Sequence, residues 1–291
     1  MWEFLTAVCD YPFMRYALGA GLLASFACGV VGSYVVARRI TYIAGSIAHC
    51  VLGGIGAARY FQVVYGWQSF SPIIGAVIAA LASAFIIGIV SLRAKQREDT
   101  VIGALWAIGM AVGVLFISRT PGYNEDLMSY LFGNILMVGP VDLWIIAGLD
   151  LLVAAVVALC YNQLLLVCFD EEFARIRGVR VELYYLLLLG LTALTVVLLA
   201  TVVGVLMVIA LLTLPVAVAN VFVKTMGRIM ALSVVLSALF TTGGLAISYG
   251  PDLPAGATII IIAGIVYIST AAAAAIRAGM RKPTGGEPYI D

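Results

Sequence analysis

The chain has 291 residues, 64% of them hydrophobic and only 11% charged, against about 25% charged in ordinary soluble domains. A water-soluble fold of this size would leave much of that apolar sequence facing water, so composition excludes one and points to a bilayer. The net charge of +1 gives no footing for a nucleic-acid partner, and the five scattered cysteines, Cys9, Cys28, Cys50, Cys160 and Cys168, form neither a zinc knuckle nor a disulfide framework.

A bilayer core about 30 Å thick needs about 20 apolar helical residues per crossing. In chain order the uncharged runs fall at 16–37, 43–64, 71–92, 101–118, 141–163, 183–201, 204–223, 229–249 and 256–276. The expected fold is therefore an all-α integral membrane protein, a polytopic bundle of eight or nine transmembrane helices. The first run is as long as a full span and has no basic start or small-residue cleavage site before it, so no cleavable leader is expected. The segment 119–140 is too polar to span, and within it 126–137 (DLMSYLFGNILM) is expected as a short helix at the outer surface. The run 183–223 carries no charge and is about twice one span in length. It is expected either to turn back near Thr201 to Gly204, where glycine suits tight geometry, or to be one long helix plus a re-entrant piece. Residues 1–281 read as one membrane domain without an internal repeat. The polar tail 282–291 (KPTGGEPYID) is expected to be disordered.

Orientation follows from the basic residues. When the connections are assigned alternately to two sides, all but Arg15, Arg59 and Arg119 of the 16 basic residues collect on one side. That side is assigned to the cytoplasm, with the N-terminus external and the C-terminus cytoplasmic.

Few ionisable groups lie at membrane depth: His49, Arg59, Asp142 and Asp150. Such residues are rare in spans and often functional. Arg59 and Asp142 stand near helix ends and can snorkel to the interface. Asp150 either pairs with Arg59 or lines a cation path. His49, the sole histidine, shares one helical face with Gly45 and Gly53 at i, i+4 spacing. Gly45, Gly53 and Gly54 are expected to pack helices closely. The imidazole either hydrogen-bonds within that packing or faces a pathway. Cys50 points elsewhere on the helix, about 100° around. Pro215 interrupts a span and frees a carbonyl one turn back, as a hinge or as a packed kink.

The segment 169–181 (FDEEFARIRGVRV) differs in kind, being dense in charge. Asp170, Glu171 and Glu172 followed by Arg175 and Arg177 suit a short helix and its dipole, and Gly178 is placed to end it. It is either a solvated loop or a helix offered to a cytoplasmic partner. No Gly-Lys pair occurs, so the phosphate loop GxxxxGK[ST] is absent. There is no HExxH and no catalytic triad. The chain reads as a non-enzyme.

Taken in order, these segments resemble the permease subunits of bacterial zinc, manganese and iron ABC importers. The stretch 36–54 (VARRITYIAGSIAHCVLGG) looks like the family's Arg-Met-Ser-Tyr-x-Gly-Asp-Ala-x-x-His segment, and 98–103 (EDTVIG) is similar to its third cytoplasmic junction. The stretch 126–136 (DLMSYLFGNIL) is close to the family pattern, and 169–178 resembles its coupling segment. Residues 203–219 (VGVLMVIALLTLPVAVA) and 252–258 (DLPAGAT) match the last two signatures. The family's Asp falls at Gly45, a family Pro at Gly53, and the Arg after the Pro-containing segment at Asn220.

The resemblance implies a multi-pass protein of the bacterial inner membrane that works as a homodimer. Its partners would be cytoplasmic ABC ATPase subunits, an external metal-binding protein and membrane lipid. Asp170, Glu171, Glu172, Arg175 and Gly178 would form the coupling helix that docks on the ATPase. No cofactor is bound permanently. The cargo is a divalent zinc, manganese or iron ion, with His49, Asp150 and Pro215 as candidate pathway or metal residues. Imidazole without a carboxylate favours zinc over manganese. The competing expectation is a secondary, ion-coupled cation transporter working without an ATPase. Such proteins often carry inverted repeats and several buried acids, of which this sequence offers only Asp150.

Overall fold

The computed structural model describes residues 2–68, 70–93, 98–121, 133, 135–251 and 253–280. In order these form α1 (Trp2–Asp10), α2 (Pro12–Ala37), α3 (Thr41–Tyr65), α4 (Pro72–Arg93), α5 (Glu98–Arg119), a 3-10 turn (Ile135–Met137), α6 (Pro140–Phe169), α7 (Glu171–Ile176), α8 (Val181–Val203), α9 (Val205–Phe222), α10 (Met226–Tyr249) and α11 (Ala255–Met280). Among the described residues there is no strand, and nine helices, α2–α6 and α8–α11, are long and apolar enough to cross a membrane. The expected surface helix at 126–137 lies mostly outside the described residues, and its end, Ile135–Met137, is a 3-10 turn. The tail 282–291 also lies outside them. Helix α1 was not foreseen. Arg15 of α2 donates to the Val8 and Cys9 carbonyls and so satisfies part of the open end of α1.

Local signals fix the ends. Proline opens α2, α4 and α6 at the first turn, where its missing N–H costs nothing. Asp142 accepts from the Gly139 N–H at 2.9 Å and closes the start of α6. Gly66, at φ 70°, ends α3 in the left-handed conformation. The uncharged run 183–223 is two helices broken at Gly204 alone. Its φ of 89° and ψ of 151° lie in a region open essentially only to glycine. Residues Thr201 to Val203 remain helical, so the turn is tighter than the sequence suggests.

Contacts set the direction of each crossing. Gly133 presses on Val203 and Gly204, and Ile135 reaches Gly21 in the first half of α2. The start of α2, the start of α6 and the α8–α9 break therefore share one end of the bundle. At the other end Ala37, Phe169, Val223, Lys224 and Met226 line one recess. The run 204–223 thus crosses back, and is not re-entrant. Gly21 against Thr241 and Gly29 against Val234 make α2 antiparallel to α10. Arg38, Arg39, Arg175, Arg177 and Lys224 gather at the second end, called the basic end below. At the first end Phe61 stacks on Trp67 at 5.4 Å and Tyr60 meets Phe116 at 5.4 Å, as in the aromatic belt of a membrane interface.

Burial separates centre from rim. In the most apolar windows of α2 and α3, 72% of residues are buried, against 11% for α5 and α11. Helix α2 packs on α6, α8, α9 and α10, while α3 packs on α4 and α5, and α8 joins the two groups. Helices α5 and α11 therefore present apolar faces to lipid or to another chain.

Candidate functional site

Helix α3 carries His49 into a narrow contact with α5. Gly45, His49, Gly53 and Gly56 recur at three- or four-residue spacing, and all four meet α5. A Cβ at Gly53 would stand 2.8 Å from the Gly109 carbonyl oxygen, and one at Gly56 would stand 2.8 Å from that of Gly113. Such small residues let helix backbones approach without a clash. On the other side of α3, Gly54 touches Gly75 of α4 with the same economy. Helices α3 and α5 run parallel: Ser46 donates to the Ile102 carbonyl at 2.9 Å, and Cys50 to that of Leu105 at 3.2 Å.

His49 is only 9% exposed. Its imidazole stacks on the Trp106 indole, with ring centroids 4.5 Å apart and planes inclined by 19°. A Cβ at Gly45 would come within 3.4 Å of that indole, so Trp106 occupies the space a side chain at Gly45 would take. Tyr42 lies beyond Trp106, with centroids 5.5 Å apart. Tyr42 also lines a recess of about 200 Å³ with Arg38, Arg39, Ser91, Asp99 and Tyr185. The order from mid-membrane to the basic end is thus the glycine contact, His49, Trp106, Tyr42 and the polar recess.

The other candidates stand elsewhere. Asp150, on α6, is 9% exposed and lies against the Ala27 backbone beside Cys28 of α2. Its Oδ1 has no hydrogen-bond partner. It does not pair with Arg59, which sits on α3 and donates to Gln62 at 2.8 Å. Pro215 is buried within an unbroken α9. One helical step before it, the Leu212 backbone packs on Gly32 of α2. Asp142 is the capping residue of α6. Among the described residues no group of three or more His, Cys, Asp or Glu side chains could hold a metal ion. Within one chain, His49 therefore belongs to no three-ligand set among the described residues.

The charged segment is a helix, α7. Asp170 caps it by accepting from the Phe173 N–H at 2.9 Å. Gly178, at φ 76°, ends it with the Gly178 and Val179 N–H groups donating to Arg175 and Ala174. Arg175 pairs with Glu182 at 2.8 Å. Phe173 and Ile176 are 45% and 83% exposed, so a polar helix displays apolar side chains outward. Glu171 pairs with Arg38 at the end of α2. The Arg38 guanidinium also lies over the Tyr185 ring, 5.3 Å from its centroid, and the Tyr185 hydroxyl meets Ser91 of α4 at 3.0 Å. Trp106 and Arg38 escaped the sequence reading. A tryptophan in a helix apolar all round looks like a lipid anchor, and an arginine at a span end counts only toward topology.

Known proteins place this architecture. A probable metal transport system membrane protein of Chlamydia pneumoniae is 44% identical, over 86% of this chain and 85% of its own length. The manganese transport system membrane protein MntC of Halalkalibacterium halodurans is 32% identical, over 91% of this chain and 88% of its own. A chain of PsaBC from Streptococcus pneumoniae, solved in complex with a Fab, superposes with a TM-score of 0.80 at 28% identity, over 92% of this chain and 94% of that one. Residues 10–274 match the ABC 3 transport family, and the chain belongs to it.

Proposed function

We propose that this chain is the membrane permease of an ATP-driven importer for a divalent transition metal in the bacterial inner membrane. The observation that carries the reading is the family match over 10–274, which takes in eight crossings, α7 and most of the ninth crossing. The permease works as a homodimer with separate ATPase chains and an external metal-binding protein. The basic end lies in the cytoplasm, where α7 docks on the ATPase through Phe173, Ile176 and the charges of Glu172 and Arg175. Imidazole alone favours zinc, while the relative named for manganese makes manganese the first cargo to test. A secondary transporter finds no support, since Asp150 is the one buried acid among the described residues.

His49 is the proposed pathway residue. In a homodimer two copies of the α3–α5 contact bring two imidazoles toward the axis, and water or a second residue completes a loose shell suited to release. The test is ATP-dependent uptake of radiolabelled manganese or zinc by vesicles holding the permease and its ATPase. Uptake is expected only with both chains present, and His49→Gln is expected to lower it strongly at equal protein. ATP hydrolysis by the purified chain alone, or uptake without the ATPase, overturns the proposal.

A further inference from the structure

We infer that Trp106 is a positioning and specificity-determining residue of the transport pathway, stacked on His49 in the gap left by Gly45 and closing that imidazole off from the recess at the basic end. The inference rests on the reading of His49 as a pathway residue.

Three observations meet at this indole. First, the stack with His49 is tight, at 4.5 Å and 19°. A stacked ring is held by its face, so only its edge, where both nitrogens lie in plane, remains for a cation. Second, the indole lies directly over Gly45: a Cβ there would stand in van der Waals contact with it at 3.4 Å, so a side chain longer than alanine's would push the ring away. Third, the indole separates two different environments. On one side lies His49, 9% exposed, beneath the glycine contacts of Gly53 and Gly56 with α5. On the other lies Tyr42 and the recess lined by Arg38, Arg39, Ser91 and Asp99. The ring stands between His49 and Tyr42, so the inferred path from His49 to the basic end runs past it. Helix α5 belongs to the poorly buried rim of the bundle, so the indole can shift without opening the core of α2 and α8.

The role differs from that of a ligand. Trp106 offers no lone pair, only a π face and an N–H donor. It fixes which way His49 points and how much water reaches it. Loss of the ring frees the imidazole to rotate and admits water, which weakens and blurs ion selection. An aromatic pair of this kind is worth about a two- to tenfold change in an equilibrium constant. Trp106→Ala is therefore expected to raise KM for metal by about that factor and to narrow the ratio between manganese and zinc uptake, whereas Trp106→Phe, which still stacks, stays near the parent chain. Gly45→Leu is expected to reproduce Trp106→Ala by displacing the indole.

The test has two arms. One is uptake of manganese and zinc by the reconstituted permease–ATPase complex, comparing KM and maximal rate for Trp106→Ala, Trp106→Phe, Gly45→Leu and His49→Gln. The other is fluorescence of the full-length permease in which the remaining tryptophans, Trp2, Trp67 and Trp144, are phenylalanine. Saturable change of Trp106 emission on adding manganese chloride or zinc chloride is expected, and its loss in His49→Gln. Trp106→Ala with parental KM and parental metal preference, or emission that ignores metal while uptake proceeds, overturns the inference. If His49→Gln also transports like the parent, the pathway reading itself fails. If His49→Gln is impaired and Trp106→Ala is not, only the role of Trp106 fails. Should Trp106→Ala not assemble, Gly45→Leu and the emission arm still decide.

Discussion

Arg39 holds a backbone that arginine rarely adopts. Its φ is 62°, which puts Cβ close to the following carbonyl and costs roughly 1–2 kcal/mol. The turn explains the conformation: the Arg39 N–H donates to the Val36 carbonyl and the Ile40 N–H to that of Val35, the pair of hydrogen bonds that ends a helix and normally takes glycine. Arg39→Gly is thus expected to stabilise the chain by about 1 kcal/mol, part of the relief being offset by the freer unfolded glycine. Thermal unfolding in a fixed detergent checks the sign, and a lower midpoint would mean that the arginine side chain contributes more than its backbone costs. The residues of the candidate site were legible to different degrees. The face of Gly45, His49 and Gly53 could be read because helical spacing puts those positions together whatever the partner helix. Its partner could not, since α5 is apolar on every side and nothing in its pattern marks Trp106. Asp150 was legible as a buried carboxyl, yet its neighbour is Ala27 and not Arg59, because pairing across a bundle depends on which helices touch.

Helix ends were read well and helix breaks less so. Proline at the first turn and glycine after the last are local chemistry, so α2, α4, α6 and α7 begin and α3 and α7 end close to where the sequence puts them. The α8–α9 break depends on a single residue. Gly204→Ala is expected to destabilise the bundle by about 1–3 kcal/mol, read as a lower unfolding midpoint, and an unchanged midpoint would show that the break relaxes into another turn. Helix α7 is tied to the bundle at its first residue, where Glu171 meets Arg38. Arg38 is also the C-cap of α2, at the turn into α3, whose first residue lies about two helical turns ahead of His49. A force on α7 from a docked partner thus reaches the α2–α3 turn through one ion pair and the Arg38–Tyr185 contact. Arg38→Glu is expected to lower the number of ions moved per ATP, and Arg38→Glu with Glu171→Arg to restore part of it. The pair is 23% and 21% exposed, so the coupling is modest and sensitive to salt. Equal stoichiometry in all three chains would assign the relay to other contacts of α7. Glu172 and Arg175 lie outside this tie, so their joint replacement is expected to leave insertion intact while lowering metal-stimulated hydrolysis by the complex.

At the scale of the molecule, the bilayer made the fold readable. Spans must satisfy their backbone internally, so each becomes a helix about as long as its uncharged run, and the nine runs match the nine membrane-length helices among the described residues. What the runs do not encode is which helix sits at the centre, because lipid and protein interiors are equally apolar. Burial of α2 and α3 against the open rim of α5 and α11 had to come from the structure. The cytoplasmic placement of the basic end is part of the proposal: it rests on the positive residues at the α2–α3, α6–α8 and α9–α10 connections, and with nine crossings among the described residues it puts the two termini on opposite sides. Two exposed positions test this. Arg39 stands at the basic end, and Gln68 follows α3 at the other end, beside the aromatic belt. In a chain whose native cysteines are replaced, Gln68→Cys is expected to react with a membrane-impermeant maleimide in intact spheroplasts. Arg39→Cys is expected to react only after the membrane is opened. Labelling of Arg39→Cys in sealed spheroplasts would turn the bundle over and remove α7 from the reach of any cytoplasmic ATPase. Labelling of both would mean that an even number of crossings separates them, against the single passage of α3 between the α2–α3 turn and Gly66.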